Sequence, residues 1–241
     1  MKSTLITGSS SGLGDGLTRF LVSKNTFVGG ISRSENEHVK HSELYRHFSI
    51  DLGNESEVRE KLPGVLKLYT SGMDLLVLNA GVMSEPADMS ETSLEELKSV
   101  MDINLWANKL ILDEVIRSEI PVKQVVAISS GAAVKGNRGW NAYAISKAAL
   151  NMLIQLYAKE MPETHLSALA PGLVDTAMQA YIASLSEDER FPAFDRLRKA
   201  RGTSEMPKPL ELAPRLVNAV QNLYDKYPSG SFADIREMDN V

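Results

Sequence analysis

The sequence predicts an α/β fold: a doubly wound parallel sheet with helices on both faces, in a single domain. Three observations predict it. Short apolar runs alternate with helix-period segments along the whole chain. The run Asp74–Leu78 is almost continuously apolar, as a strand covered on both faces must be. A glycine-rich turn joins the first run to the first helical segment. With 241 residues, 43% of them hydrophobic and 24% charged, the composition is that of a globular domain with a sizeable core.

The elements follow in order. Leu5-Ile6 lies in the first strand, and Leu13, Leu17, Phe20 and Leu21 come next at helical spacing. Thr26–Ile31 and Tyr45–Ile50 are the second and third strands. Glu55–Leu68 is helical, and Pro63 should break or kink it, because its ring nitrogen has no hydrogen to donate. Asp74–Leu78 is the fourth strand, Ser93–Arg117 one long helix, and Gln124–Ile128 the fifth strand. Tyr143–Met161 is a helix, Leu166–Ala170 the sixth strand, Leu210–Tyr224 the last helix and Ser231–Ile235 the final strand. The stretch Ser184–Pro209 is charged, holds three prolines and has no strand signal. It reads as a surface excursion or a mobile lid. The domain is therefore expected over 1–241, with a substrate lid over about 177–209.

Composition excludes several functions. Acids outnumber bases, 31 to 26, for a formal charge of −5, so the basic footprint of a nucleic-acid or anionic-membrane binder is absent. There is no cysteine, which removes disulfides, thiolate catalysis and cysteine-bound zinc. None of the four histidines forms an HExxH pair, and His38 and His41 sit in a polar stretch that reads as solvated surface, so no metal is expected. No apolar run approaches the roughly 18 residues of a spanning helix. No leader-like apolar region precedes the glycine turn, and a cytoplasmic location is expected.

The turn is Thr7-Gly8-Ser9-Ser10-Ser11-Gly12-Leu13-Gly14. Glycines between a strand and a helix let a pyrophosphate approach the N–H groups at the helix N-terminus. The same letters also suit a serine-capped turn with no ligand.

TGxxxGxG after the first strand resembles the opening of the short-chain dehydrogenase/reductase family. Asn79-Ala80-Gly81 after the fourth strand resembles its NAG segment, Tyr143-Ala-Ile-Ser-Lys147 its YxxxK, and Pro171-Gly172-Leu173-Val174-Asp175-Thr176 its PGxVxT. Ser130, 13 positions before Tyr143, and Asn104 match its catalytic serine and asparagine. The resemblance spans essentially the whole chain and implies a single Rossmann-type domain. It also implies an oxidoreductase acting on CH–OH/C=O, with Ser130, Tyr143, Lys147 and Asn104 as catalytic residues. Gly8, Ser10, Ser11, Gly12, Leu13, Gly14, Asn79, Ala80, Gly81, Pro171, Gly172, Val174 and Thr176 would hold the nucleotide, together with Tyr143 and Lys147.

After the second strand the chain reads Ser32-Arg33-Ser34, without the acid that often binds the adenosine ribose. A guanidinium grips a 2′-phosphate where a carboxylate would repel it. NADP(H) is therefore expected over NAD(H), with Ser32 and Ser34 as added hydroxyl donors; Arg33 also reads as a plain surface arginine. In the family, the acid at Asp51, followed by Leu52, accepts from the adenine amino group; Asp51 also suits a helix N-cap before Glu55.

Tyr143 and Lys147 are four apart, within roughly 40° of each other on a helix. A phenol normally titrates near pH 10, and bringing it to about 7 takes roughly 4 kcal/mol of phenolate stabilisation. Lys147 as ammonium would supply part of that and oxidised nicotinamide more, whereas burial acts in the wrong direction. Tyr143 would then protonate the substrate oxygen, Ser130 would orient it, and Asn104 would fix a water in a relay to Lys147, as in the family. Ser129 should face the other way.

Trp140 and Met178 are candidate substrate residues. The aromatics Tyr181, Phe191 and Phe194 suit either a lid or ordinary packing. The ending Ser229-Gly230-Ser231-Phe232-Ala233-Asp234 resembles the sepiapterin and diketone reductase branch, which implies Asp234 as a substrate anchor. The expected function is NADPH-dependent reduction of a small ketone or diketone. The alternatives are a non-catalytic NADP-binding regulator and an alcohol dehydrogenase working oxidatively. The three-residue gap between Tyr143 and Lys147 differs from the wider gap of the related enoyl reductases. The second apolar face of the Tyr143 helix, and the family's habit of assembling through such helices, imply a homodimer or homotetramer.

Overall fold

The structure, a computed structural model, describes residues 1–238; residues 239–241, the end of the expected domain, lie outside the described residues. Strands β1 (Ser3–Thr7), β2 (Phe27–Ser32), β3 (Tyr45–Ser49), β4 (Met73–Leu78), β5 (Val122–Ile128), β6 (His165–Ala170) and β7 (Ser231–Asp234) form one sheet. Its order is β3-β2-β1-β4-β5-β6-β7, and every pairing is parallel. The helices are α1 (Gly12–Ser23), α2 (Glu55–Leu66), α3 (Leu94–Met101), α4 (Ala107–Arg117), α5 (Asn141–Glu160), α6 (Ala177–Ser184), α7 (Pro192–Ala200) and α8 (Pro209–Lys226).

Two apolar cores flank the sheet. On one face Leu13 and Leu17 of α1 meet Leu212 and Leu216 of α8 over Ile6, Val77 and Val126. On the other, Val58 and Leu62 of α2, Ile111 of α4 and Leu150 and Ile154 of α5 cover Leu5, Leu76 and Val125. β4 and β5 are buried on both sides, so neither shows a polar alternation. A third, smaller cluster of Ile182, Phe191, Phe194 and Leu197 lies within α6 and α7.

Two sequence expectations change. Pro63 does not break its helix. α2 runs on to Leu66 and then tightens into a 3-10 turn over Lys67–Tyr69, and the buried side chains Leu62, Val65 and Leu66 hold that last turn in place. The helix expected over Ser93–Arg117 is not continuous. A π turn at Asp102–Trp106 separates α3 from α4, and Asn104 sits in it. Such an insertion re-aims side chains and often marks a functional position.

The chain order reverses between β1 and β4, since β1 leads leftward to β2 and β4 rightward to β5. Loops leaving the carboxyl ends of these two strands diverge and open a crevice there. The glycine turn follows β1 and Asn79 follows β4, so topology alone brings them together.

Candidate active site

A cleft of about 930 Å³ opens at those strand ends. Of the residues assigned from sequence to catalysis, nucleotide or substrate, all but Gly14 and Asn104 line it, whereas the lid aromatics Tyr181, Phe191 and Phe194 do not. Gly14 and Asn104 stand directly behind its wall.

The nucleotide side is built from backbone. Gly8 has φ +67, and a Cβ on Gly14 would lie 2.1 Å from the Gly8 carbonyl oxygen, so only glycine fits there. Ser11 is the N-cap of α1 with extended backbone, and no side chain caps that helix. Its first N–H groups therefore remain available to an anion at the positive end of the helix dipole. Buried polar side chains fix the turn from below. The Thr7 hydroxyl accepts from the N–H groups of Asn79 (2.9 Å) and Ala80 (3.0 Å). Asn79 Nδ2 donates back to Thr7 O at 2.9 Å. Asn36, fully buried, donates to Ser9 O (2.8 Å) and to Asp15 (2.9 Å). Sequence reasoning missed Asn36, which belongs to no local pattern, and gave no role to Ser9, a variable position of the glycine turn.

At the end of β2, Arg33 is exposed and lines the cleft, with no ion-pair partner among the described residues. Ser32 is turned inward: its hydroxyl donates to Ser34 O at 2.8 Å and meets Ser9 Oγ at 3.2 Å. The Ser34 hydroxyl in turn donates to Ser10 Oγ at 3.4 Å on the exposed side. Asp51 is not an N-cap. Asn54 caps α2 by accepting from Glu57 N, while Asp51 Oδ1 accepts from Gly53 N at 2.9 Å and the carboxylate lines the cleft. These features fit a dinucleotide: a backbone cradle at an uncapped helix start, a carboxylate beyond Leu52, and an unpaired guanidinium at the β2 end.

At the floor, Ser130 follows β5 in extended conformation, accepts from Ala132 N at 3.1 Å and turns its hydroxyl toward Tyr143 in the cleft. Ser129 faces away and bonds Asn151 Oδ1 at 2.6 Å. Tyr143 stands on the first turn of α5, its ring 5.5 Å from that of Trp140. Burial raises the Tyr143 pKa, with the hydrogen bond to Ser130 as counterweight. Burial acts in the direction expected from sequence, against the acidification assigned there to Lys147 and oxidised nicotinamide. Lys147 Nζ lies 5.8 Å from the centre of the Tyr143 ring and donates to Ile128 O at 2.7 Å. Lys147 is itself 3% exposed with no carboxylate partner among the described residues, and burial pushes its pKa down to about 8.

Asn104 is fully buried. Its Oδ1 accepts from Val82 N at 2.8 Å, and its Nδ2 donates to Val82 O at 2.8 Å and Ser146 Oγ at 2.9 Å. Its main-chain oxygen accepts from Asn108 Nδ2 at 2.8 Å. The side chain therefore braces the 81–82 segment against α5.

On the substrate side Trp140, Met178 and Asp234 all line the cleft. Phe191 and Phe194 do not; they are buried and pack with Trp140, 5.0 Å from Phe194. Asp234 is gripped by Arg236, a residue that the sequence reading passed over although it stands two positions away.

The family model for short chain dehydrogenases matches residues 2–186. A benzil reductase ((S)-benzoin forming) of Bacillus subtilis is 32% identical over 247 residues, covering 98% of this chain and 99% of its own. Sepiapterin reductase of Meriones unguiculatus is 32% identical over 196 residues, covering 76% and 72%. The crystal structure of a short-chain dehydrogenase/reductase from Saccharomyces cerevisiae is similar with a TM-score of 0.84 at 25% identity, covering 98% of this chain and 97% of that one. Among the described residues no helix is long and apolar enough to cross a membrane.

Proposed function

The chain belongs to the short-chain dehydrogenase/reductase family and is an oxidoreductase acting between CH–OH and C=O; from that premise we propose that it reduces a small ketone or diketone with NADPH. The observation that carries the reading is the cleft floor, where half-buried Tyr143 lies beside Ser130 with the buried ammonium of Lys147 5.8 Å from its ring centre. A phenol at that place can protonate a carbonyl oxygen as hydride arrives, which is the proton donor a reduction needs. A regulator without turnover has no use for a protonated phenol beside a buried lysine.

Nicotinamide, when bound, supplies the hydride. Tyr143 gives its proton to the substrate oxygen. Ser130, whose lone pair is engaged by Ala132 N, donates its own proton to that oxygen and fixes its direction. Lys147 sits behind the phenol and favours its anion once the proton has left. Arg33 and Ser34 are the residues that would hold a 2′-phosphate, Asp51 the adenine amino group, and Gly8 to Gly14 the pyrophosphate. The names of the Bacillus and Meriones relatives support a carbonyl or vicinal diketone as substrate. Exposed Ile145, Met152 and Leu156 recur at helical spacing on α5, and Trp106 and Ile116 are exposed on the neighbouring π turn and α4, which supports assembly into a homodimer or homotetramer. The lack of cysteine in the chain is in keeping with a cytoplasmic place of work.

The test is a panel of ketones and 1,2-diketones assayed with NADPH and with NADH. NADPH should be preferred, and Arg33→Asp should cut that preference by about 10- to 100-fold, the worth of one charge-assisted contact. Comparable kcat/KM for both nucleotides, or an unchanged preference in the variant, overturns the cofactor assignment. Absence of turnover with every carbonyl overturns the reaction.

A further inference from the structure

We propose that Arg236, held in place by Asp234, is a specificity-determining residue that binds a second oxygen beside the reacting carbonyl, so that the cleft selects vicinal dicarbonyls over monoketones. The inference rests on the carbonyl-reductase reading and narrows it.

Asp234 ends β7, at the edge of the sheet, and the chain turns there. Its side chain is 7% exposed. Oδ1 accepts from the backbone N–H of Arg236 at 3.0 Å and from Nε at 2.9 Å, and Oδ2 accepts from Nη2 at 2.5 Å. Among the described residues all hydrogen bonds to this carboxylate come from Arg236, so little of it is left to meet a substrate. That displaces Asp234 from the role of direct anchor.

The guanidinium is differently placed. The Arg236 side chain is 49% exposed and lines the cleft. Its stem runs past Gly172, where a Cβ would lie 3.5 Å from Cγ. Its tip comes to Gly131, where a Cβ would lie 3.3 Å from Nη2. Gly131 directly follows Ser130, so the guanidinium stands beside the residue that orients the reacting oxygen. Asp234 engages Nε and one hydrogen of Nη2; the outer hydrogens of Nη1 and Nη2 remain for another acceptor. A bidentate pair also fixes the plane of the group, so little ordering is needed when substrate arrives.

Charge decides the class of acceptor. Arg236 is already neutralised by a buried carboxylate, so it acts as a positioned donor more than as a free cation. A neutral ketone oxygen suits it, and a carboxylate would meet Asp234 at close range. The cleft thus favours a 1,2-diketone over a 2-oxo acid of the same size.

Arg236→Met keeps the stem and removes the donors. The reading is the ratio of kcat/KM for 1-phenyl-1,2-propanedione to that for 1-phenyl-2-propanone, with phenylpyruvate as the 2-oxo acid. Wild type should favour the dione, and Arg236→Met should lower the ratio by about 30-fold, as loss of a charged hydrogen bond predicts. Asp234→Asn should lower it through KM more than kcat, and the double variant should fall no further than Arg236→Met alone, because the two act as one unit. Calorimetry of the dione with the NADP⁺-loaded protein, which cannot reduce it, should show the same loss of affinity. A ratio unchanged in Arg236→Met, with the dione still reduced, overturns this inference and leaves the carbonyl-reductase reading standing. A wild-type preference for phenylpyruvate overturns the choice of a neutral acceptor. No reduction of any of the three overturns both.

Discussion

The two ends of the cleft are held together in different ways. At the nucleotide end, glycines and buried polar side chains tie loop to loop: Thr7, Ser9, Asn36 and Asn79 all bond main-chain atoms or one another. At the substrate end, α6 and α7 carry a small core of their own, and charged side chains join them to the rest. Arg190 reaches Asp88 at 3.3 Å and Glu91 at 3.4 Å, while Arg138 bonds Asp88 with Nη2 at 2.7 Å. Buried hydrogen bonds are costly to break and leave unsatisfied groups behind, whereas exposed ion pairs contribute little. One end is thus a fixed mould and the other an adjustable cover. Substitutions should reproduce that contrast.

The largest effect is expected at the seam. Tyr143→Phe removes the proton donor and nothing from the mould. It should lower kcat by about 10³-fold, the middle of the range for general acids, while NADPH still binds by fluorescence titration. Near-native turnover would end the assignment. Gly14→Ala attacks the mould itself. Its Cβ has no room beside the Gly8 carbonyl and Asn79 Nδ2, so the turn must move. NADPH affinity should fall by about 30-fold, with a lowered Tm, in line with the 1–3 kcal/mol typical of overpacking. Unchanged affinity would show that the turn is not rigid, and the contrast between the two ends would fail.

Lys147 gives the third, smaller effect. Burial lowers its pKa to about 8. If the ammonium is the working form, kcat/KM should bend down above pH 8, about tenfold per unit. The stability consequence has the opposite sign. The cost of burying the cation is present in full below about pH 8 and fades as pH rises toward the unfolded value near 10.4. Lys147→Met should therefore raise Tm at pH 7 by more than at pH 10, even as activity is lost. A flat rate profile to pH 10, or a Tm gain that grows with pH, would contradict the burial of a charged group at this position.

The same contrast explains what was legible in the sequence. The mould is dictated by local backbone needs. Gly8, Gly12 and Gly14 must be where they are for the chain to turn, and Tyr143 and Lys147 share a face because a helix has a fixed period. Such constraints leave a readable spacing. Asn36 reaches Ser9 across 27 positions and Arg236 grips Asp234 from a turn whose shape no spacing reveals. The long helix over 93–117 read as continuous because apolar periodicity barely registers a one-residue insertion, yet that π turn is what places Asn104 behind the cleft. Pro63 was misread for the converse reason: local propensity argued for a break, and the buried Leu62, Val65 and Leu66 overrode it.

The smallest effect is expected at the cover. Arg190 joins the 184–192 segment to Asp88 and Glu91 in the loop after β4, and it also bonds Asp188 within its own turn at 2.8 Å. All four groups are on the surface, where water competes for each contact and salt screens it. The apolar cluster of Ile182, Phe191, Phe194 and Leu197, with Trp140 against it, keeps the two helices in place without them. Arg190→Ala should therefore shift Tm by no more than about 2 °C and raise the substrate KM by about two- to fivefold, the worth of a surface pair. The KM effect should vanish at high salt, where wild type would behave like the variant. NADPH affinity should not move, since no atom of the network touches the mould. If Arg190→Ala instead cost as much nucleotide affinity as Gly14→Ala, the two ends would be one rigid unit, and α6 and α7 would no longer qualify as a separable cover.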